Sequence, residues 1–529
     1  MVTVGEELRR SAVRGAGAAI VGQASNFVVS IGSVVVLARL LTPADFGIMT
    51  MVTTFGLLFR SFGLNGFTEV ILQREELTER LVSSLFWVEV FCGLLLMVLF
   101  AALAPLIALF YHNAAVVRAA QGVSLTIGIG SLGWIHMALL QRAMQFKTAA
   151  LINFAGQAIL VVVSIVLALL GFHYWALVWG SVSQTVVIST GAWLQCRWVP
   201  SRPRRGQPIG SDLKFAANVY SHFAFSYLTR NTDNLLVGWR YGAGPLGYYK
   251  RAYDLFVLPE TQLLAPLSGV VVSTLSRIRQ DREQFIRYFL RAIAVLALVG
   301  MGVGADFALV GKDLIRLLLG PGWEEAGLIF TLFGPGIGVM LLYATHGWIH
   351  LSIGRPERWF AWGLIEFVCT GSLFLLTLRW GPSGIAVAWT LSFFLLMFPG
   401  FWYAGKPIGL GIGSIVAAIW KFFAASVVGG CLTGVLMRAM PRLLHAVGAP
   451  GALARLVVAS VIFSVLYLAA VTALYGGLDP IQQTLVLLKD FRPRRRSLAR
   501  AAQESFADSA GVILPADYSV FPGTNGPQG

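Results

Sequence analysis

The sequence predicts an all-α polytopic membrane protein of about 14 transmembrane helices. Three observations lead there. Of the 529 residues, 57% are hydrophobic and only 12% charged, where a soluble domain carries roughly 25% charged residues. Apolar runs of about 20 residues, the length a helix needs to cross a bilayer, recur from end to end. The weakly alternating ten-residue segments of a membrane β-barrel are missing from the pattern.

The first six candidate spans cover residues 17–41, 46–65, 81–106, 116–140, 148–170 and 174–194. A basic linker, 201–214, follows. Six more spans cover 215–239, 255–275, 292–310, 326–350, 359–378 and 384–402, and two further ones lie near 411–437 and 456–474. The expected organisation is a lobe over 1–200, a second lobe over 215–405, two added helices within 406–476, and a tail over 477–529. Arg9, Arg10 and Arg14 precede the first run in the manner of a signal peptide. That run is too long for a signal-peptide core, so it reads as an uncleaved first span. The tail opens with Lys489, Arg492, Arg494, Arg495 and Arg496 and then loses all periodicity, which reads as a basic juxtamembrane segment followed by disorder.

The formal charge is +15. Its distribution explains it without nucleic acid. Loops 74–80, 142–147, 197–214, 277–291 and 355–358 together with both tails hold roughly 26 Lys and Arg, against roughly 11 on the other side. The bias places both termini in the cytoplasm. Cys92, Cys196, Cys369 and Cys431 are scattered through apolar segments, with no metal or disulfide spacing, and read as small buried hydrophobes.

The chain repeats itself. Shifted by 200, Phe46-Gly47 falls on Leu246-Gly247. Shifted by 210, Gly171-x4-Ala176-x2-Trp179 falls on Gly381-x4-Ala386-x2-Trp389. Arg142 with Phe146 parallels Arg355 with Trp359 at a shift of 213. An even number of spans separates equivalent points, so the two lobes share one topology. This is a parallel repeat, related by an axis along the membrane normal.

Two segments carry a family resemblance. One is Leu37-Ala38-Arg39-Leu40-Leu41-Thr42-Pro43-Ala44-Asp45-Phe46-Gly47. The other is Asp233-Asn234-Leu235-Leu236-Val237-Gly238 with Gly247-Tyr248-Tyr249 and Ala252-Tyr253. Over about residues 10–475 the chain resembles the polysaccharide flippases, of O-antigen and exopolysaccharide type, within the multidrug/oligosaccharidyl-lipid/polysaccharide exporter superfamily. The resemblance implies two six-helix lobes around a central cavity, plus two helices. It also implies transfer of an undecaprenyl-pyrophosphate-linked oligosaccharide across a bacterial inner membrane. The partners would be that substrate, membrane lipid, and a polysaccharide polymerase and its export machinery.

Charged side chains inside spans are costly and by default mark function. Arg60 lies in the second span, Arg230 and Asp233 in the seventh, Glu260 in the eighth, and Glu89 and Glu366 in the third and eleventh. At a shift of 200, Arg60 corresponds to Glu260. We expect Arg60 to bind the lipid pyrophosphate through its guanidinium fork, and Glu260 to hold Arg60 when no substrate is present. Arg230 and Asp233 are three apart on one face, so Asp233 is expected to bind a coupling ion, H+ or Na+, tuned by Arg230. Arg240, Lys250 and Arg251 suggest a basic exit for the head group, with Asp254 placed to pair with Lys250 or Arg251. His346 and His350 also share a face. No third ligand accompanies them, so cavity-lining or interfacial histidines are expected rather than a metal. Trp179, Trp239 and Trp389 read as interfacial anchors.

No cofactor is expected. Gly128-Ile129-Gly130-Ser131-Leu132-Gly133 mimics a dinucleotide fingerprint but follows no strand and reads as helix packing. Gly304 to Lys312 lacks the phosphate-loop spacing, so drive from nucleotide hydrolysis is not expected. Two other readings compete. One is a cation-coupled multidrug antiporter of the same superfamily, whose cavity should be acidic. The other is a membrane glycosyltransferase or ligase, which would call for larger loops. A structural partner of a polymerase complex is a further reading.

Overall fold

The computed structural model describes residues 29–74, 77–202, 210–445 and 447–477. The start of the first span, part of the basic linker and nearly all of the expected tail lie outside them. Every regular element among the described residues is helical. Seven helices are long and apolar enough to cross a membrane, and up to nine if each bent pair counts once. In that count Pro356–Ile408 is a single run, although it holds two helices.

The described chain falls into two compact units, one up to Asn231 and one from Thr232. Unit one holds α1 (Val29–Leu40), α2 (Pro43–Gln73), α3 (Glu79–Tyr111), α4 (Ala115–Ser131), α5 (Trp134–Arg142), α6 (Phe146–Leu169) and α7 (Tyr174–Cys196). The division falls inside α8 (Gly210–Tyr241). Unit two continues with α9 (Ala243–Phe256), a π-helical turn (Glu260–Leu264), α10 (Ala265–Arg277), α11 (Arg282–Leu319), α12 (Glu324–Ala344) and α13 (His346–Ser352). It closes with α14 (Pro356–Thr377), α15 (Gly381–Gly405), α16 (Ile412–Arg438), α17 (Pro441–Leu444) and α18 (Gly448–Tyr475).

Helix ends explain why several elements outrun the apolar stretches. The Leu41-Thr42-Pro43-Ala44-Asp45 segment is a capping box. The Thr42 hydroxyl accepts the Asp45 N–H at 3.3 Å, and the Asp45 carboxylate accepts the Thr42 N–H at 2.9 Å, with Pro43 in the first helical turn. Such a cap is worth about 1 kcal/mol. Thr78 caps α3 and Asp281 caps α11, each by accepting an N–H three residues on. Arg142 closes the far end of α2 by donating to the carbonyls of Ile71 and Arg74 at 2.5 and 2.6 Å.

Segments expected as single spans are bent. Helices α4 and α5 meet at 44° across Leu132-Gly133. The carbonyls freed there are satisfied from α7: Ser189 donates to Ile129 O at 3.0 Å and the Trp193 indole to Leu132 O at 2.6 Å. A Cβ on Gly133 would stand 2.6 Å from the Ser189 backbone, so the apparent fingerprint at 128–133 is a packing device. The eighth span is also bent, by 43°, and carries the π turn.

Packing partners recur between the units. In unit one α3 packs on α4, α6 on α7 and α4 on α7; in unit two α11 packs on α12, α14 on α15 and α12 on α15. Helices α16 and α18 dock on α11. Tyr467 donates to Leu298 O at 2.7 Å, Ser460 to Asp306 at 3.0 Å, and Arg455 forms a forked pair with Asp313 at 2.5 to 3.1 Å. A forked, part-buried pair is stronger than an exposed surface one.

Candidate functional site

The most completely built polar centre lies in unit two. Asp233 is fully buried, yet its carboxylate is not stranded. Oδ2 accepts the Tyr249 hydroxyl at 2.6 Å and the Trp389 indole N–H at 3.0 Å, and Oδ1 accepts the Asn234 N–H at 2.8 Å. The indole also reaches the Tyr249 oxygen, 3.1 Å away. Three donors on one carboxylate offset the cost of withdrawing it from water. They also tie α8 to α9 and α15. Around the centre, Tyr253 lies 5.9 Å from Trp389, Phe393 stacks on Trp389 at 5.5 Å, and Phe256 stacks on Phe333 at 4.4 Å.

This changes two expectations. Trp389 is not an interfacial anchor: it is only 8% exposed, against 42% for Trp179 and 43% for Trp239. Its N–H is spent on a buried acid rather than on interfacial water. Asp233 is also not organised around Arg230, which is exposed, while the three bonds reaching Asp233 come from Tyr249, Trp389 and Asn234. The sequence signal for Tyr249 was its place in the Gly247-Tyr248-Tyr249 motif. For Trp389 it was the repeated spacing.

The basic groups divide between elements. Arg60 is half-buried on α2, and its shielded Nε has no hydrogen-bond partner among the described residues. One turn of α9 collects Lys250, Arg251 and Asp254. Lys250 approaches Asp254 to 2.7 Å and Arg251 to 3.2 Å, so this carboxylate faces two cations. Lys250 also lies 5.4 Å above the Tyr253 ring. Arg240 is exposed and rests over Tyr241 at 5.6 Å. Glu260 opens the π turn and is half-buried. Such turns replace regular helix where function needs local irregularity.

Other intramembrane ionisable groups differ in how they are supported. Glu89 is 1% exposed, with neither carboxylate oxygen hydrogen-bonded among the described residues. Glu366 accepts the Tyr343 hydroxyl at 3.1 Å, and Tyr343 in turn accepts the Trp362 indole N–H at 2.7 Å. His346 and His350 are both buried, deeper than an interfacial position would place them. Among the described residues no three His, Cys, Asp or Glu side chains converge as a metal site, and the four cysteines are free thiols.

Comparison with known proteins adds to this geometry. A family model described as polysaccharide biosynthesis protein matches residues 36–327. The teichuronic acid biosynthesis protein TuaB of Bacillus subtilis is 26% identical over 68% of this chain and 75% of its own length. The succinoglycan biosynthesis transport protein ExoT of Rhizobium meliloti is 23% identical over 68% of this chain and 73% of its own. Among solved structures, the lipid II flippase MurJ, in an inward closed conformation, superposes with a TM-score of 0.67 at 16% identity, covering 86% of this chain and 99% of that one. An inward-facing multidrug transporter of the MATE family superposes with a TM-score of 0.58 at 15% identity, over 74% and 98%.

Proposed function

Because this chain belongs to the polysaccharide biosynthesis protein family, we propose that it is a flippase. Its cargo is an undecaprenyl-pyrophosphate-linked oligosaccharide, carried across a bacterial inner membrane for polysaccharide export. The match to that family over more than half of the chain, with a relative named as a succinoglycan transport protein, is the observation that supports this reading most. The fold shared with a lipid II flippase is consistent with it. In this proposal the chain makes about 14 spans, comprising the long apolar helices, the bent pairs, and α1, α2, α7 and α8. Both termini face the cytoplasm, as the Lys and Arg bias requires.

Alternating access would expose a cationic path to each side in turn while the polyprenyl tail stays in lipid. Arg60 is the group we assign to the pyrophosphate. It is shielded inside a span, and a guanidinium matches phosphate oxygens in pairs. Glu260, at the irregular turn of unit two, is a gating group. Arg230, Arg240, Lys250 and Arg251 are further basic groups for the head group, and Asp254 tempers the charge of Lys250 and Arg251. Asp233 acts in gating, through the three helices its carboxylate holds together. The drive is an ion gradient or removal of the product outside. A multidrug antiporter would favour cationic drugs, and the basic character of these intramembrane groups disfavours such cargo.

The test is Arg60→Ala in cells whose own gene has been deleted. Polymer export should fall at least about tenfold, equivalent to about 1.4 kcal/mol of lost transition-state or binding energy, with membrane levels of the protein unchanged. Normal export would remove Arg60 from the mechanism.

A further inference from the structure

Asp233 and Glu89 are both buried acids, and they are supported in opposite ways. The Asp233 carboxylate accepts three donors. Glu89, on α3, is 1% exposed, and neither of its oxygens has a hydrogen-bond partner among the described residues. Polar groups around it are spent elsewhere. Ser131 donates to Gly128 O, the Trp193 indole to Leu132 O and the Trp87 indole to Ser201 O. Among the described residues no counter-charge takes their place. Of the helices packed on α3, α2 carries Asp45, Arg60 and Glu69, α4 carries Arg118, and α5 carries His136 and Arg142, yet none of these acts electrostatically on Glu89. On α3 itself, the titratable group within its reach is Cys92.

These surroundings select one ligand. A carboxylate withdrawn from water needs donors or a cation, whereas a carboxylic acid carries no charge to satisfy. A metal ion needs several converging ligands, and among the described residues no such group forms. A proton needs only a carboxylate oxygen. An O–H bond forms there as the proton enters, and the same bond breaks when water takes the proton away.

The enclosure of Glu89 is partly helix and partly strap. Phe86 stands one turn earlier on the same face of α3. Its ring meets His136 of α5 at 5.7 Å, Trp193 of α7 at 5.9 Å and Trp198 at 6.0 Å. Trp198 lies beyond the end of α7, on the segment that runs on to α8, and is 6% exposed. Three hydrogen bonds fasten that segment to α3 and α5. Trp87 donates to Ser201 O at 2.9 Å, the Ser201 N–H to Ser83 Oγ at 3.1 Å, and His136 Nε2 to Trp198 O at 3.2 Å. On the other side of Glu89 the packing is helix on helix, so close that a Cβ on Gly93 would collide with Ser131. The part of the enclosure that can be withdrawn without separating helices is the Trp198 strap.

We propose that Glu89 is a proton-binding site sealed by the Trp198 strap, and that the proton it holds is the coupling ion. This rests on the reading of the chain as a flippase, and it selects an ion gradient as the drive. With the strap in place the acid is neutral and its proton is trapped. With Trp198 withdrawn, water reaches the carboxyl, solvates the ionised form and accepts the proton. The charge bias puts loops 74–80 and 197–214 in the cytoplasm, so this is the side of release. The strap runs into α8, the helix in which the chain passes from unit one to unit two. A change in the course of α8 therefore pulls on the strap, which links proton release to transport.

The test is infrared spectroscopy of the full chain in nanodiscs, reading the C=O stretch of protonated carboxylic acids and its shift on exchange into D2O. Glu89→Gln keeps the shape of the neutral acid and removes its proton. We expect part of the acid band at neutral pH to vanish in Glu89→Gln, and that part to exchange slowly in the wild type. Trp198→Ala should speed its exchange at least about tenfold, as opening of a local seal does. An acid band unchanged by Glu89→Gln overturns the site, and exchange unaffected by Trp198→Ala overturns the seal. In cells, Glu89→Gln at normal membrane levels should lose at least about tenfold of polymer export. If the band is assigned to Glu89 but Glu89→Gln exports normally, the coupling role is overturned while the flippase reading stands. If the wild-type chain itself fails to restore export to the deletion strain, the flippase reading fails, whatever the infrared band does.

Discussion

Trp179 and Trp389 occupy the same place in the same motif, and they do different work. Both follow a glycine with positive φ, 79° at Gly171 and 76° at Gly381, and both follow a fully buried alanine, Ala176 and Ala386. The turn and the helix start are therefore shared physical solutions. The tryptophans then diverge. Trp179 is largely exposed and stacks on Trp175 at 6.3 Å, while Trp389 is buried and donates to Asp233. At the matching shift of 200, unit one has Ser33 where unit two has Asp233, and Met49 where unit two has Tyr249. Ser33 spends its hydroxyl on the carbonyl of Ser30, inside its own helix, at 2.7 Å. The backbone device is common to both segments, and among the described residues only unit two has the acid and the donors that turn it into a polar knot.

The comparison can be broken most severely at its centre. Asp233→Ala leaves the Tyr249 hydroxyl and the Trp389 N–H buried without an acceptor. We expect a loss of about 2–5 kcal/mol, the cost of stranding two buried donors, read as a large drop in the melting temperature of the purified chain in detergent. Next in size is the contrast between the tryptophans. Trp389→Phe should cost about 1–3 kcal/mol, whereas Trp179→Phe should change stability by less than about 0.5 kcal/mol. Equal effects would mean that the two motifs are energetically alike and the knot adds nothing. The smallest contrast tests what the units share. Gly381→Ala and Gly171→Ala should each cost about 1–3 kcal/mol from backbone strain alone, because a Cβ at either position meets no neighbouring atom. A cost at one glycine and none at the other would show that the turn is not a common device.

Some of this was legible in the chain and some was not, for reasons that can be named. The segment Arg39–Gly47 was readable because its physics is local. Thr42, Pro43 and Asp45 build a cap within three residues of one another. The buried acid Asp233 was readable as a charge inside an apolar span, but its partners were not, because Tyr249 is 16 residues away and Trp389 156. A tryptophan in an apolar helix gives no sign of whether its N–H faces headgroups or an acid, and that is how Trp389 came to be read as an anchor. The bend at Gly133 was hidden for a related reason. Hydropathy runs unbroken through it, and the groups that satisfy it, Ser189 and Trp193, come from α7. The shared face of His346 and His350 followed from spacing, while their burial and open nitrogens required the packing of α14 and α15 around them.

The central claim is that the chain moves a lipid-linked oligosaccharide between leaflets. The most direct measurement is the leaflet distribution of undecaprenyl-linked repeat units in a strain lacking the gene, probed by a membrane-impermeant reagent that cleaves or labels the glycan. The account predicts that these units accumulate out of the reagent's reach and become accessible when the gene is restored. Units equally accessible with and without the protein would contradict it.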